Sequence, residues 1–347
     1  MLNIGNKVIG DGNPVFIIAE AGVNHNGDIS IAKKMVDKAA FAGVDAIKFQ
    51  TFKTEKLVTQ YADMAEYQKC NTGKVDSQFN MLKELELSYE NFIEIQEYCK
   101  YKKIMFLSTP FDFESVDFLW SIGMEAFKIS SGDLTNIPFL KHIAKYDKPI
   151  ILSSGMASLS EIEEAINVIN YLDNKDVAVL HCTSNYPAKL ENVNLNAINT
   201  IKNAFKIVAG YSDHTKEITI SIAATVLGAN IIEKHFTLDK CMNGPDHKAS
   251  LNPIELKNMV IAIRNVEMAL GNGIKRHTAS EVDTMKAARK SIVASRYIKQ
   301  GECIKIIDLD YKRPGTGLSP KFYNYIIGKK TKRDIKMDEQ ISFNMVE

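Results

Sequence analysis

Short apolar runs return at a regular beat along the first 240 residues, and a stretch with helical spacing follows each one. The runs are VFIIAEAG from residue 15, VDAIKFQTF from 44, IMFLSTPF from 104 and AFKISSGD from 126. PIILSSGM from 149, VAVLHCTSNYP from 177, IVAGYSDHT from 207 and NIIEKHFT from 230 complete the series. Runs this short and continuous suit strands covered on both faces. Between them, segments such as SIAKKMVDKAAFAG and SLSEIEEAINVINYL carry apolar residues at helical intervals, with Ser158 and Ser160 as candidate caps. Eight β-then-α units in series predict an α/β fold, a (β/α)8 TIM barrel.

Most strand starts lie 22 to 30 residues apart, the size of one βα unit. The exception is the interval from 44 to 104, where the polar insertion TEKLVTQYADMAEYQKCNTGKVDSQ precedes the helical pattern LSYENFIEIQEYCKYKK. An insertion after a barrel strand falls at the catalytic face, so it is expected to form a lid or substrate loop. After the helical IELKNMVIAIRNVEMALG, the polar GNGIKRHTASEVD reads as a linker. Beyond it the rhythm changes to short β-type runs, Gly turns and a KRPGTG loop. The expected division is a barrel over 1–275, a linker over 276–285 and a small β-rich module over 286–347.

Composition narrows the function. Lys+Arg 43 against Asp+Glu 42 leaves a net charge of +1, which argues against a dedicated nucleic-acid or membrane-surface binder. Five scattered cysteines without a CxxC pair support neither a zinc ribbon nor a disulfide framework, so a reducing cytoplasm is the expected compartment. No apolar run reaches the ~20 residues needed to span a bilayer. A small-molecule partner remains.

In such barrels the strand ends feeding the βα loops build the active site. Here nearly all eight end in polar groups: Glu20, Lys48, Thr109, Lys128 with Ser131 and Asp133, Ser153 with Ser154, Tyr186, Ser212 with His214, and His235. Any one alone is more often a loop or satisfied core polar group. Eight ends together read as a catalytic face. Lys48 and Lys128 lie inside apolar runs, where an inward lysine either clamps an anion or forms a Schiff base. The surrounding hydroxyls favour phosphate or carboxylate.

The stretch IIEKHFTLD (231–239) places Glu233, Lys234 and His235 in a row where a core strand should stay apolar. Strand period two puts Glu233 and His235 on one face, with Lys234 directed toward the helices. Ser212 and His214 likewise share a face, and adjacent strands lie ~4.8 Å apart. Two imidazoles at matching heights could hold one divalent metal with an open, catalytic coordination sphere. By spacing alone, a core histidine making ordinary hydrogen bonds is the competing reading.

Taken together, AEAGVNHNGD, VDAIKFQTFK, LSTPFD, FKISSGD, ILSSGMAS, LHCTSNYP, GYSDHT, IEKHFTLDK and GPDHKAS resemble the sialic acid synthase family nearly end to end. The KRPGTG loop with IKQGE is similar to that family's C-terminal antifreeze-like (SAF) domain. The resemblance implies condensation of phosphoenolpyruvate with an N-acyl hexosamine. It assigns phosphoenolpyruvate to Lys48, Thr109, Lys128, Ser131, Ser153 or Ser154, and Ser212, and a manganese or magnesium ion to His214 and His235. Glu20 matches the essential carboxylate, while Asn71, Asp133, Tyr186, Asp246 and Arg313 match sugar contacts. Arg313 is implied to reach the partner's site in a domain-swapped homodimer. Two positions depart from the pattern: Asp133 stands where many members have Glu, and Ser184 where some have Asn or Glu. Motifs such as AEYQKCNTGKVDSQ and GPDHKASL are similar to those of enzymes using either sugar; N-acetylmannosamine is the expected substrate, with 2,4-diacetamido-trideoxymannose as the alternative. Rival readings are a Schiff-base pyruvate aldolase, a sibling enzyme acting on a sugar phosphate, and a non-catalytic glycan-binding scaffold.

Overall fold

Each of the eight apolar runs forms a strand: β1 (Phe16–Gly22), β2 (Ala46–Thr51), β3 (Met105–Pro110), β4 (Phe127–Ile129), β5 (Ile150–Ser153), β6 (Val177–Cys182), β7 (Val208–Asp213) and β8 (Ile231–His235). The computed structural model describes residues 1–65, 68–69, 77–171 and 176–347. Those residues divide into two units, Met1–Gly271 and Asn272–Glu347.

In the first unit the sheet runs β3-β2-β1-β8-β7-β6-β5-β4, and β8 pairs in parallel with both β1 and β7. First and last strands therefore meet, and the sheet curls into a nearly closed barrel whose ladder ends are β3 and β4. Helices α1 (Ile29–Ala42), α2 (Tyr89–Lys102), α3 (Phe113–Ser121), α4 (Ile137–Ala144), α5 (Leu159–Asn170), α6 (Asn196–Phe205), α7 (Thr219–Val226) and α8 (Pro253–Leu270) follow the strands in turn. The predicted TIM barrel is the observed fold.

Local chemistry sets the helix ends. Asp28 accepts from the Ser30 amide at 2.6 Å to start α1, and Gly43 at φ 82° returns its amide to Ala39 and Ala40 to end it. Ser158 and Glu161 cap α5 reciprocally, as Asn252 and Glu255 do for α8. Alternate strand residues such as Ile17, Ile47, Phe127, Ile150, Val179 and Ile232 are buried in one apolar cluster with Met35, Ile95, Ile143 and Met259 of the helices. The other strand face is thereby free to carry chemistry.

The insertion after β2 contributes short helices Thr54–Leu57 and Gln78–Leu85, and packs Val23, Phe52, Met64, Met81 and Leu85 into a separate cluster. Thr54 donates its amide (3.0 Å) and hydroxyl (2.8 Å) to Glu86, which ties the two ends of the insertion together. At Gly27, with φ +74°, an added Cβ would lie 2.5 Å from the Glu84 carbonyl oxygen, so only glycine lets the β1 loop pass there.

In the second unit β9 (Ser291–Ala294) pairs antiparallel with β10 (Leu309–Lys312) over a core of Ile292, Ile298, Ile304, Ile326, Ile335 and Ile341. A helix over Val282–Ala288 precedes it, so part of the polar stretch read as a linker is helical. Among the described residues, no helix is long and apolar enough to cross a membrane.

Candidate active site

Inward positions at the C-terminal ends of the strands open into a cavity of about 580 Å³. It is lined by Glu20, Lys48, Thr109, Lys128, Ser131, Ser153, Tyr186, Ser212, His214, His235 and Asp246, to which the resemblance assigns contacts, and also by Gln50, Cys182, Ser184 and Glu233. The structure thus gathers most of the candidates into one space.

Four buried ionisable groups form its floor. Lys48 pairs with Glu20, donates to Thr109 Oγ1 at 2.9 Å and lies 3.7 Å from Glu233. Lys128 donates to Ser153 Oγ at 2.6 Å and lies 3.5 Å from the other Glu233 oxygen. Ser212 donates to Glu233 Oε1 at 2.7 Å. Glu233 therefore sits between two lysines.

That placement separates the two carboxyls. Burial pushes Glu20 up, Lys48 pulls it back, the charge on Glu233 adds to the rise, and the result is about 7. Burial also acts against ionised Glu233, but Lys128, Lys48 and the Ser212 hydrogen bond outweigh it and hold the carboxyl at about 2. Near neutral pH, Glu233 is a fixed anion and Glu20 can hold or release a proton. Gln50 Nε2 donates to Glu20 Oε1 at 3.2 Å and orients it.

His214 and His235 face each other with ring centroids 5.5 Å apart, and Tyr186 stacks on His214 at 4.1 Å. His214 Nδ1 donates to the Thr183 carbonyl at 2.7 Å, which fixes the tautomer and leaves the Nε2 lone pair available. The buried Nδ1 of His235 has no hydrogen-bond partner among the described residues. Burial holds both rings below the usual histidine range, with His214 adding to the effect on His235. Two neutral imidazoles, one with an orphaned nitrogen, fit a divalent cation. Among the described residues no group of three or more His, Cys, Asp or Glu is arranged to hold a metal, so the pair would leave positions for water and substrate oxygen.

Some expected residues lie elsewhere. Ser154 Oγ donates back to the Leu180 carbonyl at 2.9 Å, so of the two serines it is Ser153 that lines the cavity. Asp133 does not line it: Ser130 Oγ donates to its carboxylate at 2.6 Å and Asn136 at 3.4 Å, which consumes the shorter side chain in the turn before α4. Asn71 falls outside the described residues. Arg313 belongs to the second unit, directly after β10. The resemblance assigns no contact to Glu233, whose parity with His235 puts it on the inward face, yet it sits between the two lysines.

A barrel mouth with two lysines, donor hydroxyls, a proton-holding carboxyl and two histidines defines an enzyme site fit for a small polyanion beside a cation. Comparison with known proteins gives the family. Residues 35–275 match the NeuB family and residues 289–347 the SAF domain. The chain is 50% identical over 327 residues to N,N'-diacetyllegionaminic acid synthase of Campylobacter jejuni, covering 94% of this chain and 98% of that protein. It is 43% identical over 347 residues to the enzyme of the same name from Legionella pneumophila, with 99% and 98% covered. Among solved structures, N-acetylneuraminic acid synthetase of Leptospira borgpetersenii, in complex with citrate, is similar at TM-score 0.72 and 38% identity, covering 82% of this chain and 94% of that one. The chain belongs to the NeuB family and is an enzyme, as the resemblance of its motifs implied.

Proposed function

We propose that this enzyme condenses phosphoenolpyruvate with 2,4-diacetamido-2,4,6-trideoxymannose and water, giving N,N'-diacetyllegionaminate and phosphate. The observation that carries the reading is the 50% identity, over almost the whole length of both chains, to a relative bearing that name. It favours this sugar over N-acetylmannosamine, the substrate otherwise expected. The cavity wall supports it: the insertion presents Leu57, Val58, Ala65, Met81 and Leu82 toward the mouth, with Gln68 and Gln78 as polar partners. Such a wall suits a sugar carrying two acetamido methyls and a C6 methyl better than one carrying further hydroxyls, which it would leave unpaired.

Phosphoenolpyruvate brings about three negative charges, which Lys48 and Lys128 offset while Thr109, Ser131, Ser153 and Ser212 donate hydrogen bonds. Its arrival displaces Glu20 from Lys48 and favours the protonated carboxyl. Carbon three of the enol then attacks the aldehyde carbon of the open-chain sugar, and Glu20 gives its proton to the new alkoxide. Carbon two is left oxocarbenium-like. Glu20, now ionised, takes a proton from the water that adds there, and phosphate departs with cleavage of the C–O bond. A divalent cation, Mn2+ or Mg2+, held by His214 and His235 would supply Lewis acidity toward the aldehyde oxygen. Tyr186 and Asp246 flank the sugar. Arg313 and Asn71 are proposed as further sugar contacts, the former supplied across a homodimer in a cytoplasmic enzyme.

Phosphate release from phosphoenolpyruvate with Mn2+ and each sugar in turn tests the reading. A higher kcat/KM with the diacetamido sugar is expected. Preference for N-acetylmannosamine returns the assignment to N-acetylneuraminate, and no release with either sugar sinks it. Mixing Glu20→Gln with Arg313→Ala chains tests the dimer: recovered activity is expected, and none argues against a shared site.

A further inference from the structure

Lys234 lies between two site residues and faces the other way. Its side chain is fully buried outside the barrel, where Nζ pairs with Asp213 Oδ2 at 2.9 Å. The same ammonium donates to the Thr215 carbonyl at 2.6 Å and the Glu217 carbonyl at 2.9 Å. Asp213 Oδ1 accepts from the Thr215 amide (2.9 Å) and hydroxyl (2.8 Å), and Oδ2 accepts from Ser221 Oγ of α7 at 2.7 Å. Lys234 and Asp213 are direct register partners across β8 and β7. Each is followed at once by a histidine of the candidate cation site, Asp213 by His214 and Lys234 by His235.

A buried ion pair is a poor stability device, because desolvation of both charges consumes most of their attraction and an apolar pair would serve as well. What it supplies is direction: its hydrogen bonds have fixed lengths and angles, whereas apolar packing slides. Here the bonds join two adjacent strand ends and the loop leaving one of them. The two imidazoles are also unequally held. His214 is tethered by Thr183, whereas among the described residues the Nδ1 of His235 has no hydrogen-bond partner, so placement of the His235 ring rests on its backbone and its packing against Tyr186.

We infer that the Asp213–Lys234 pair is a positioning clamp that holds His214 and His235 at the separation a divalent cation requires. This rests on reading the two histidines as the cation site. The pair is electrically neutral, so deleting both members leaves the net charge around the cavity unchanged and isolates geometry from electrostatics.

The test is Mn2+ binding to the full-length enzyme without substrates, followed by loss of the free-ion electron paramagnetic resonance signal, with thermal midpoints measured alongside. Asp213→Asn and the double variant Asp213→Leu/Lys234→Met are both expected to bind Mn2+ about 10- to 100-fold more weakly, as outer-shell changes at metal sites do. The double variant strands no charge and loses only the hydrogen bonds to Thr215, Glu217 and Ser221, so its thermal midpoint should lie well above that of Asp213→Asn while Mn2+ binding is equally weak. A merely structural pair would not separate those two readouts. If the double variant does not fold, Ser221→Ala loosens Asp213 without stranding a charge, and a loss of about threefold is expected for one hydrogen bond. Wild-type affinity in the double variant, or in Ser221→Ala where that is the variant measured, overturns the clamp. Absence of Mn2+ binding by the wild-type enzyme overturns the two-histidine reading beneath it.

Discussion

Replacing Glu233 by Gln removes a fixed anion between Lys48 and Lys128, which lie 3.7 and 3.5 Å away. Lys128, Lys48 and the Ser212 hydrogen bond hold the carboxyl well below its ordinary value, and removing one partner of such a buried pair costs about 3 kcal/mol at neutral pH. The sign follows from the direction: the contribution is present above about pH 4.5 and is lost as pH falls toward about 2. Part of it returns in the variant, because Glu20 is raised in part by Glu233 and ionises more readily once that charge is gone. A net loss of about 2 kcal/mol is expected, which for a barrel of this size lowers the thermal midpoint by about 3 to 4 °C. Inorganic phosphate should then raise the midpoint of the variant more than that of the wild type, since it meets two lysines with less internal competition. Differential scanning fluorimetry at neutral pH, with and without phosphate, reads both effects. An unchanged midpoint, or equal phosphate shifts in the two proteins, would refute the placement of Glu233 as the internal counter-ion.

Other outcomes follow from the same geometry. Glu20→Gln should abolish phosphate release while leaving phosphoenolpyruvate binding by calorimetry largely intact; lost binding would count against its role in proton transfer. In Gly155→Ala the new Cβ would meet Ser184 Oγ at 2.1 Å and Ser131 Oγ at 2.8 Å. Phosphoenolpyruvate affinity should therefore fall at least tenfold with the fold intact by circular dichroism, and normal affinity would show that Ser131 is not part of the cradle. Leu82→Asn should narrow the kcat/KM preference for the diacetamido sugar over N-acetylmannosamine by about tenfold; an unchanged ratio would clear the insertion wall of any part in selection. Chelation should stop phosphate release and either Mn2+ or Mg2+ restore it, whereas full turnover in excess chelator would exclude a metal role for His214 and His235.

Much of this was legible in the sequence because burial on both faces writes strands as plain apolar runs. Apolar flanks marked Lys48 and Lys128 as inward, and period two marked Glu233 and His235 as inward and Lys234 as outward. What the sequence could not show were partners across strands. That Asp213 meets Lys234 depends on the relative heights of β7 and β8, which barrel closure sets and no local pattern records. The opposite fates of Glu20 and Glu233 depend in the same way on which lysines each faces. Asp133 shows another limit: a carboxylate at a strand end serves a turn as readily as a cavity, and Ser130 and Asn136 hold this one in the turn. Period two counted from Lys128 through its register partner Ile151 would have selected Ser153 over Ser154.

The strict alternation in β8 also limits how this enzyme can change. Deleting or inserting one residue upstream in that strand would not merely shorten it. Lys234 would swing into the mouth, and Glu233 and His235 would be pressed into the apolar layer against the helices. A site with one anion and one cation ligand would become a site with a third lysine and neither. Gradual change by length is therefore closed to this strand. Substitution remains open to it, and the loops beyond the strand ends are where insertions can accumulate without cost to the chemistry.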